Sequence, residues 1–225
     1  MANEDKVKVL KTWENPFAMR VLIALEEKGI TYECQEENLR SKSQLLLQMN
    51  PVHKQIPVLL HNGKPLAESL VILQYIDEAW PLPPQKRFLP STPYDRAMAR
   101  FWVQFMDTKI YAAGKRILMT KGESQEEAKR ELVESLMLIE GAFKDLSCGK
   151  PYFGGETFGF LDIAFIPLTI WFHTYETVGK FKIPMEAKCP GLKAWMGVCM
   201  ERESVKKVLP EPQRILREYS RHVAS

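Results

Sequence analysis

The stretch WENPFAMRV, residues 13 to 21, places Asn15, Pro16 and Phe17 directly after the apolar run Val7 to Leu10, where a strand would hand over to a helix. Asparagine is a preferred N-cap and proline suits the first helical position, so Asn15 is expected to start a helix. Such a helix end also presents unpaired N–H groups and about half a positive charge, which suits a thiolate or a carboxylate. Capping and anion binding are compatible roles for this turn.

A second stretch, NPVHKQIPVLLHNGKPLAES, carries what a small zwitterionic thiol peptide would need. If the Ile56–Pro57 bond is cis, the Ile56 backbone can offer its N–H and C=O to an extended peptide; if trans, Pro57 merely opens a strand. Glu68 and Ser69 fall at the start of a further helix, where the Ser69 N–H and hydroxyl could hold a carboxylate while Glu68 faces an ammonium. Lys42 offers a cation for a second carboxylate, although a lone lysine is usually solvated surface.

The elements that must position these residues follow from pattern. Upstream, a strand at Val7 to Leu10 leads to a helix from Pro16 to Lys28 ended by Gly29, a strand at Thr31 to Glu36 and a short helical piece at Lys42 to Gln48. A strand at Ile56 to Leu60, a turn at Asn62-Gly63, an edge at Pro65 to Ala67 and a helix from Ser69 to Ala79 complete a βαβββα domain over residues 1–80. Five prolines (Pro81, Pro83, Pro84, Pro90, Pro93) make 81–94 a linker. Residues 95–225 read as an all-helical bundle, with helical spacing through Phe101, Phe105, Thr108 and Ala112. Further helices are expected at Gln125 to Lys144, Leu161 to Thr177, Gly191 to Arg202 and Pro212 to His222. The fold class is α+β.

Composition closes off several functions. Thirty-one basic residues stand against 28 acidic ones, interleaved rather than clustered, which gives nucleic-acid binding little support. No apolar run reaches the ~18 residues a membrane span needs, and the N-terminus lacks a secretory h-region. Cys34, Cys148, Cys189 and Cys199 show neither C-x-x-C nor metal-ligand spacing, which fits free thiols in a reducing cytoplasm and points to no metal. The four histidines are scattered and no Ser-His-Asp pattern or phosphate loop occurs, so hydrolase and nucleotide readings fall away.

Together the stretches WENPFAMRVLIALEEKGITYE, NLRSKSQLLLQMNPVHKQIPVLLHNGKPLAESLVILQYIDEAW, YFGGETFGFLDIAF and CMERESVKKVLP resemble the cytosolic glutathione transferases, and within them the plant tau class, over nearly the whole chain. The resemblance implies a thioredoxin-like glutathione-binding domain, an all-helical second domain and a homodimer, with Glu78 and Arg96 as interface candidates. It implies a cytoplasmic, stress-responsive detoxifying enzyme that conjugates glutathione, its co-substrate, to hydrophobic electrophiles, with glutathione peroxidase activity as an accompaniment. Glutathione would contact Phe17, Lys42, Lys54, Ile56, a cis Pro57, Glu68 and Ser69. Redox relatives of that domain carry C-x-x-C at the first turn; here the residues are Asn15, Pro16, Phe17 and Ala18, so the turn serves the thiol of a bound molecule.

Two departures matter. Tau enzymes usually read SPF at the turn, the serine hydroxyl donating to the glutathione sulfur, whereas this chain reads NPF. An amide N–H is a chemically reasonable substitute if the oxygen caps the helix and the NH₂ turns to the thiol; an oxygen facing the sulfur would repel the thiolate. A position after Lys54 that is often lysine is Gln55. The alternatives to conjugation are therefore a ligand carrier for flavonoids or hormones, and a glutathione-dependent disulfide or peroxide reductase.

By the same resemblance the electrophile lies in an apolar cleft lined by Trp13, Phe17, Tyr111, Lys115, Leu118, Trp171, Leu216 and Tyr219. Tyr111 and Lys115 are suited to polarising a leaving group or holding an anionic tail. Asp162, three residues after Gly159, has the spacing of a helix-capping residue and is expected to serve folding.

Overall fold

The computed structural model describes residues 5–83 and 87–224; positions 84–86 of the expected linker lie outside the described residues. Two compact units are present, Met1–Pro83 and Pro84–Ser225.

The first unit runs β1 (Val7–Lys11), α1 (Pro16–Lys28), β2 (Glu33–Glu36), α2 (Gln44–Met49), β3 (Val58–His61), β4 (Lys64–Ala67) and α3 (Ser69–Ala79). The order is thus βαβαββα, with the short helical piece forming a full element between β2 and β3. One mixed sheet has the order β2-β1-β3-β4, β1 parallel to β2 and antiparallel to β3, with Leu10 opposite Val58. Leu10, Ile56 and Val58 are buried with Leu46 of α2, while α1 and α3 pack against each other. Lys28 Nζ meets Asp77 Oδ1 at 2.7 Å and joins those two helices through a buried ion pair.

Local chemistry sets these boundaries. Gly29 takes φ 66° as the C-cap of α1, and Asn62 and Gly63, both at positive φ, make the tight turn from β3 to β4. Strand β3 begins at Val58 rather than Ile56 because Pro57 has no N–H to give to the ladder. Helix α2 begins at Gln44 because Ser43 caps it, Oγ accepting from Leu46 N at 3.0 Å.

The second unit is helical: α4 (Pro93–Phe105), α5 (Ala112–Met119), α6 (Glu123–Ser147), α7 (Phe160–Thr169), α8 (Phe172–Gly179), α9 (Met185–Lys188), α10 (Pro190–Met200), α11 (Glu203–Val208) and α12 (Pro212–Ala224). A π-helical segment, Met106–Tyr111, joins α4 to α5. Sequence periodicity runs straight through that segment and does not show it.

The single helix expected from Leu161 to Thr177 is two. Pro167 removes one backbone donor from α7, and the Thr169 hydroxyl donates to Ile166 O at 2.8 Å, drawing on a carbonyl of the same turn. The chain tightens there, with Trp171 N reaching Leu168 O, and α8 starts afresh at Phe172.

Asp162 is fully buried and organises the start of α7. Its carboxylate accepts from Gly159 N at 2.9 Å, Phe153 N at 3.0 Å and Trp195 Nε1 at 2.7 Å, thereby joining the loop before α7 to α10. Phe165 stacks on Trp195 with centroids 5.1 Å apart, and Phe153 stands edge-on to both. Burial pushes the Asp162 carboxyl up to about 6 against these hydrogen bonds, which pull it down.

Candidate functional site

Asn15 is the N-cap of α1, at φ −78° and ψ 114°, with Pro16 following as the first helical residue. Its Oδ1 accepts from Ala18 N at 2.8 Å. Because a backbone N–H can be met only by the carbonyl end of an amide, donor–acceptor logic fixes the orientation. Nδ2 and both its hydrogens are therefore left uncommitted to the cap. The side chain is half-buried, and the helix it opens is 13 residues long.

Behind this turn lies a residue that sequence reading passed over. Arg20, one turn into α1, is fully buried; its guanidinium lies 4.9 Å from the Phe17 ring centroid and donates from Nη1 to Ser69 Oγ at 3.4 Å. Arginine has donors only, so Ser69 Oγ is the acceptor there and its own proton is free to point elsewhere. Ser69 is the first residue of α3 and is buried, next to exposed Glu68, which holds φ 69° without being glycine. Strained backbone of this kind costs about 1–3 kcal/mol and clusters at functional positions. The signal for Arg20 was an arginine inside the apolar run FAMRVLIAL, where a buried cation needs partners.

The loop from α2 to β3 is braced by another unflagged residue. Asn50, 4% exposed, donates from Nδ2 to Gln55 O at 2.9 Å and accepts at Oδ1 from His53 N at 3.2 Å. These bonds shape the chain up to Ile56–Pro57, whose peptide bond is cis. Lys54 in the same loop is exposed at φ 53°, and His53 Nε2 stands 3.8 Å from Glu68 Oε1. Lys42 is exposed, immediately before the Ser43 cap. Trp13 is half-buried in the turn before Asn15.

The other expected residues belong to the second unit. Trp171, at the joint of α7 and α8, stacks on Tyr175 with centroids 6.4 Å apart. Burial holds the Tyr175 phenol far above its ordinary range, with Tyr111 adding to the effect, so these three aromatics share one neighbourhood. Tyr175 needs Gly114, since a Cβ there would come within 2.5 Å of its ring and hydroxyl. Tyr219 of α12 donates its hydroxyl to Leu118 O at 2.8 Å, and both line a cavity of about 830 Å³ with Lys121, Gln125, Val178 and Lys180. Lys115 is exposed and Leu216 half-buried. A different cavity of about 430 Å³, walled by Phe88, Asp95, Phe153 and Phe160, contains none of the expected site residues.

This arrangement can bind an anion at the start of α1, a carboxylate at Ser69 and a cation at Glu68. Residues 5–78 match the glutathione S-transferase N-terminal domain and residues 98–203 its C-terminal domain.

The chain belongs to the glutathione S-transferase family.

Among its relatives, the probable glutathione S-transferase parC of Nicotiana tabacum is 52% identical over 96% of this chain and 94% of that protein. Glutathione S-transferase U22 of Arabidopsis thaliana is 51% identical over 94% of each. The crystal structure of a tau class glutathione S-transferase from mango, Mangifera indica, is 46% identical with a TM-score of 0.91, covering 96% of this chain and 97% of that one. A rice GST solved in complex with glutathione is 42% identical with a TM-score of 0.89, covering 98% and 97%. The chain is a tau-class glutathione S-transferase with asparagine at the turn that opens α1. No described helix is long and apolar enough to cross a membrane.

Proposed function

We propose that this glutathione S-transferase conjugates the glutathione thiolate to hydrophobic electrophiles, with Asn15 as the group that stabilises the thiolate. The observation that carries the assignment is the cap: Oδ1 is held by Ala18 N, so the donor end of the amide is the end available to a ligand at the amino terminus of α1. A charge-assisted hydrogen bond contributes about 1.5–3 kcal/mol, and one pKa unit corresponds to ~1.4 kcal/mol, so one such bond suffices to lower a thiol by about a unit.

The rest of the tripeptide follows from the same unit. The Ser69 N–H and hydroxyl take the γ-glutamyl carboxylate, the hydroxyl proton being directed outward because Arg20 occupies its acceptor side. Glu68, exposed at the same helix end, receives the ammonium. The Ile56 backbone beside Pro57 pairs with the peptide, Phe17 packs against it, and Lys42 and Lys54 supply charge for the glycyl carboxylate. The electrophile site is assigned to Trp13, Tyr111, Lys115, Leu118, Trp171, Leu216 and Tyr219. Attack by the held thiolate needs no covalent protein intermediate and no general base at the moment of reaction. The enzyme is read as a cytoplasmic homodimer; exposed Val71, Tyr94 and Phe101 supply apolar surface for a second copy.

Turnover of glutathione with a generic aryl halide, measured for the wild type, Asn15→Ser and Asn15→Ala, tests the assignment. A transferase that uses its asparagine loses most activity in the alanine variant and retains it in serine. Glutathione binding without turnover in the wild type, restored by serine, would identify a carrier. Peroxide turnover exceeding aryl transfer would identify a reductase.

A further inference from the structure

Glu37 is a buried acid with no part in the reading above. It follows β2, is 6% exposed, and its N–H reaches Lys11 O at 2.8 Å. Its carboxylate clamps one residue twice: Oε1 accepts from Ser43 Oγ at 2.8 Å and Oε2 from Ser43 N at 3.2 Å. Gln35 Nε2 also donates to Oε1, at 3.1 Å. Ser43 Oγ in turn accepts from Leu46 N as the cap of α2. Its single hydroxyl proton is thus committed to Glu37 while its lone pair serves the helix, and each bond strengthens the other.

The clamp closes the segment 38–42. Inside it, Asn38 Oδ1 accepts from Arg40 N at 3.0 Å and Asn38 O from Ser41 N at 3.0 Å, so the loop is a pair of turns held shut at its far end by Ser43. Lys42 is the last residue of that segment, covalently next to the doubly held Ser43, and is exposed. A lysine side chain has four rotatable bonds, so where its ammonium can be offered depends on how firmly its backbone is set.

The geometry points to Glu37 as a positioning residue that sets Lys42 for the glycyl carboxylate of glutathione, acting through Ser43. This rests on the assignment of Lys42 to that carboxylate. Three donors, Ser43 Oγ, Ser43 N and Gln35 Nε2, converge on the two oxygens of the Glu37 side chain. Glutamine would turn an NH₂ toward at least one of them, loosening the clamp while preserving size.

Calorimetry and steady-state kinetics on the full-length wild type, Glu37→Gln, Lys42→Ala and the double variant test this, using glutathione and γ-glutamylcysteine, which lacks the glycyl residue. Glu37→Gln is expected to raise Kd and KM for glutathione roughly five- to twentyfold with kcat changed less than about twofold. Binding of γ-glutamylcysteine should be unchanged, and adding Glu37→Gln to Lys42→Ala should cost nothing more. Ser43→Ala, which removes the hydroxyl half of the clamp, should show the same pattern at smaller size and carries the test if Glu37→Gln does not fold. An unchanged glutathione KM overturns the proposal, as does equal weakening of both thiols, which would mean general collapse of the site. A wild type that binds glutathione while the variants match it defeats only this inference; a wild type that binds no glutathione removes the reading beneath it.

Discussion

Two helix starts in this molecule solve the same problem with opposite consequences. At α7 an unpaired donor of the helix end, Gly159 N, is met by Asp162, which is fully buried and also accepts from Phe153 N and Trp195 Nε1 outside the helix. At α1 the unpaired Ala18 N is met by Asn15, half-buried, whose oxygen takes the cap while its NH₂ stays out of it. A saturated buried cap can only hold the fold together. An amide that caps with one end leaves a donor at the other, here on a half-buried side chain.

Asp162→Ala leaves two backbone N–H groups and an indole N–H without acceptors, at about 1–3 kcal/mol each. Urea denaturation should therefore show a loss of about 3–5 kcal/mol in the second unit, or no folded protein; a loss below about 1 kcal/mol would remove the distinction.

The next effect is on pH. The folded carboxyl of Asp162 titrates at about 6, above its ordinary value of 3.8, so the native state keeps this proton longer than the unfolded chain. Its contribution is favourable below pH about 4 and is lost as pH rises through about 6, amounting to about 2–3 kcal/mol. The difference in unfolding free energy between wild type and Asp162→Asn should shift by that amount across the window, and a flat difference would contradict the assigned burial effect.

A third helix start sharpens the contrast. Glu140 of α6, 3% exposed, caps α10 from outside, accepting from Gly191 N at 3.0 Å and Leu192 N at 2.8 Å. It belongs with Asp162, so Glu140→Gln should cost about 2 kcal/mol in stability while leaving glutathione KM unchanged. Gly191→Ala should behave similarly, since its Cβ would stand 2.9 Å from Glu140 Oε1. The smallest stability effect belongs to Asn15→Ala, about 1 kcal/mol for the lost cap, and here activity should fall by much more than stability does.

Much of this was legible in sequence because its causes are local. Asn15-Pro16, Gly29 and Asn62-Gly63 fix a cap, a helix end and a turn through their own dihedral preferences, and the structure places each as expected. Asp162 announced itself by its spacing from Gly159. What stayed hidden depends on distant partners: Arg20 reaches across 49 positions to Ser69, and Glu140 across 52 to Leu192. Glu37 binds Ser43 only six residues away, yet nothing in NLRSKS marks a clamp, because the loop must close before the two meet. The π-helical segment at Met106–Tyr111 and the break at Trp171 escaped because apolar spacing continues through both while the backbone register does not.

We propose that the Asn15 amide donates to the glutathione sulfur. Its most direct test is a pH titration of the ultraviolet thiolate absorbance of bound glutathione, in the wild type and in Asn15→Ala. The thiol pKa in the wild type should lie below that of free glutathione and rise by about one unit or more in the alanine variant. Equal values in the two proteins, with glutathione bound in both, would contradict it.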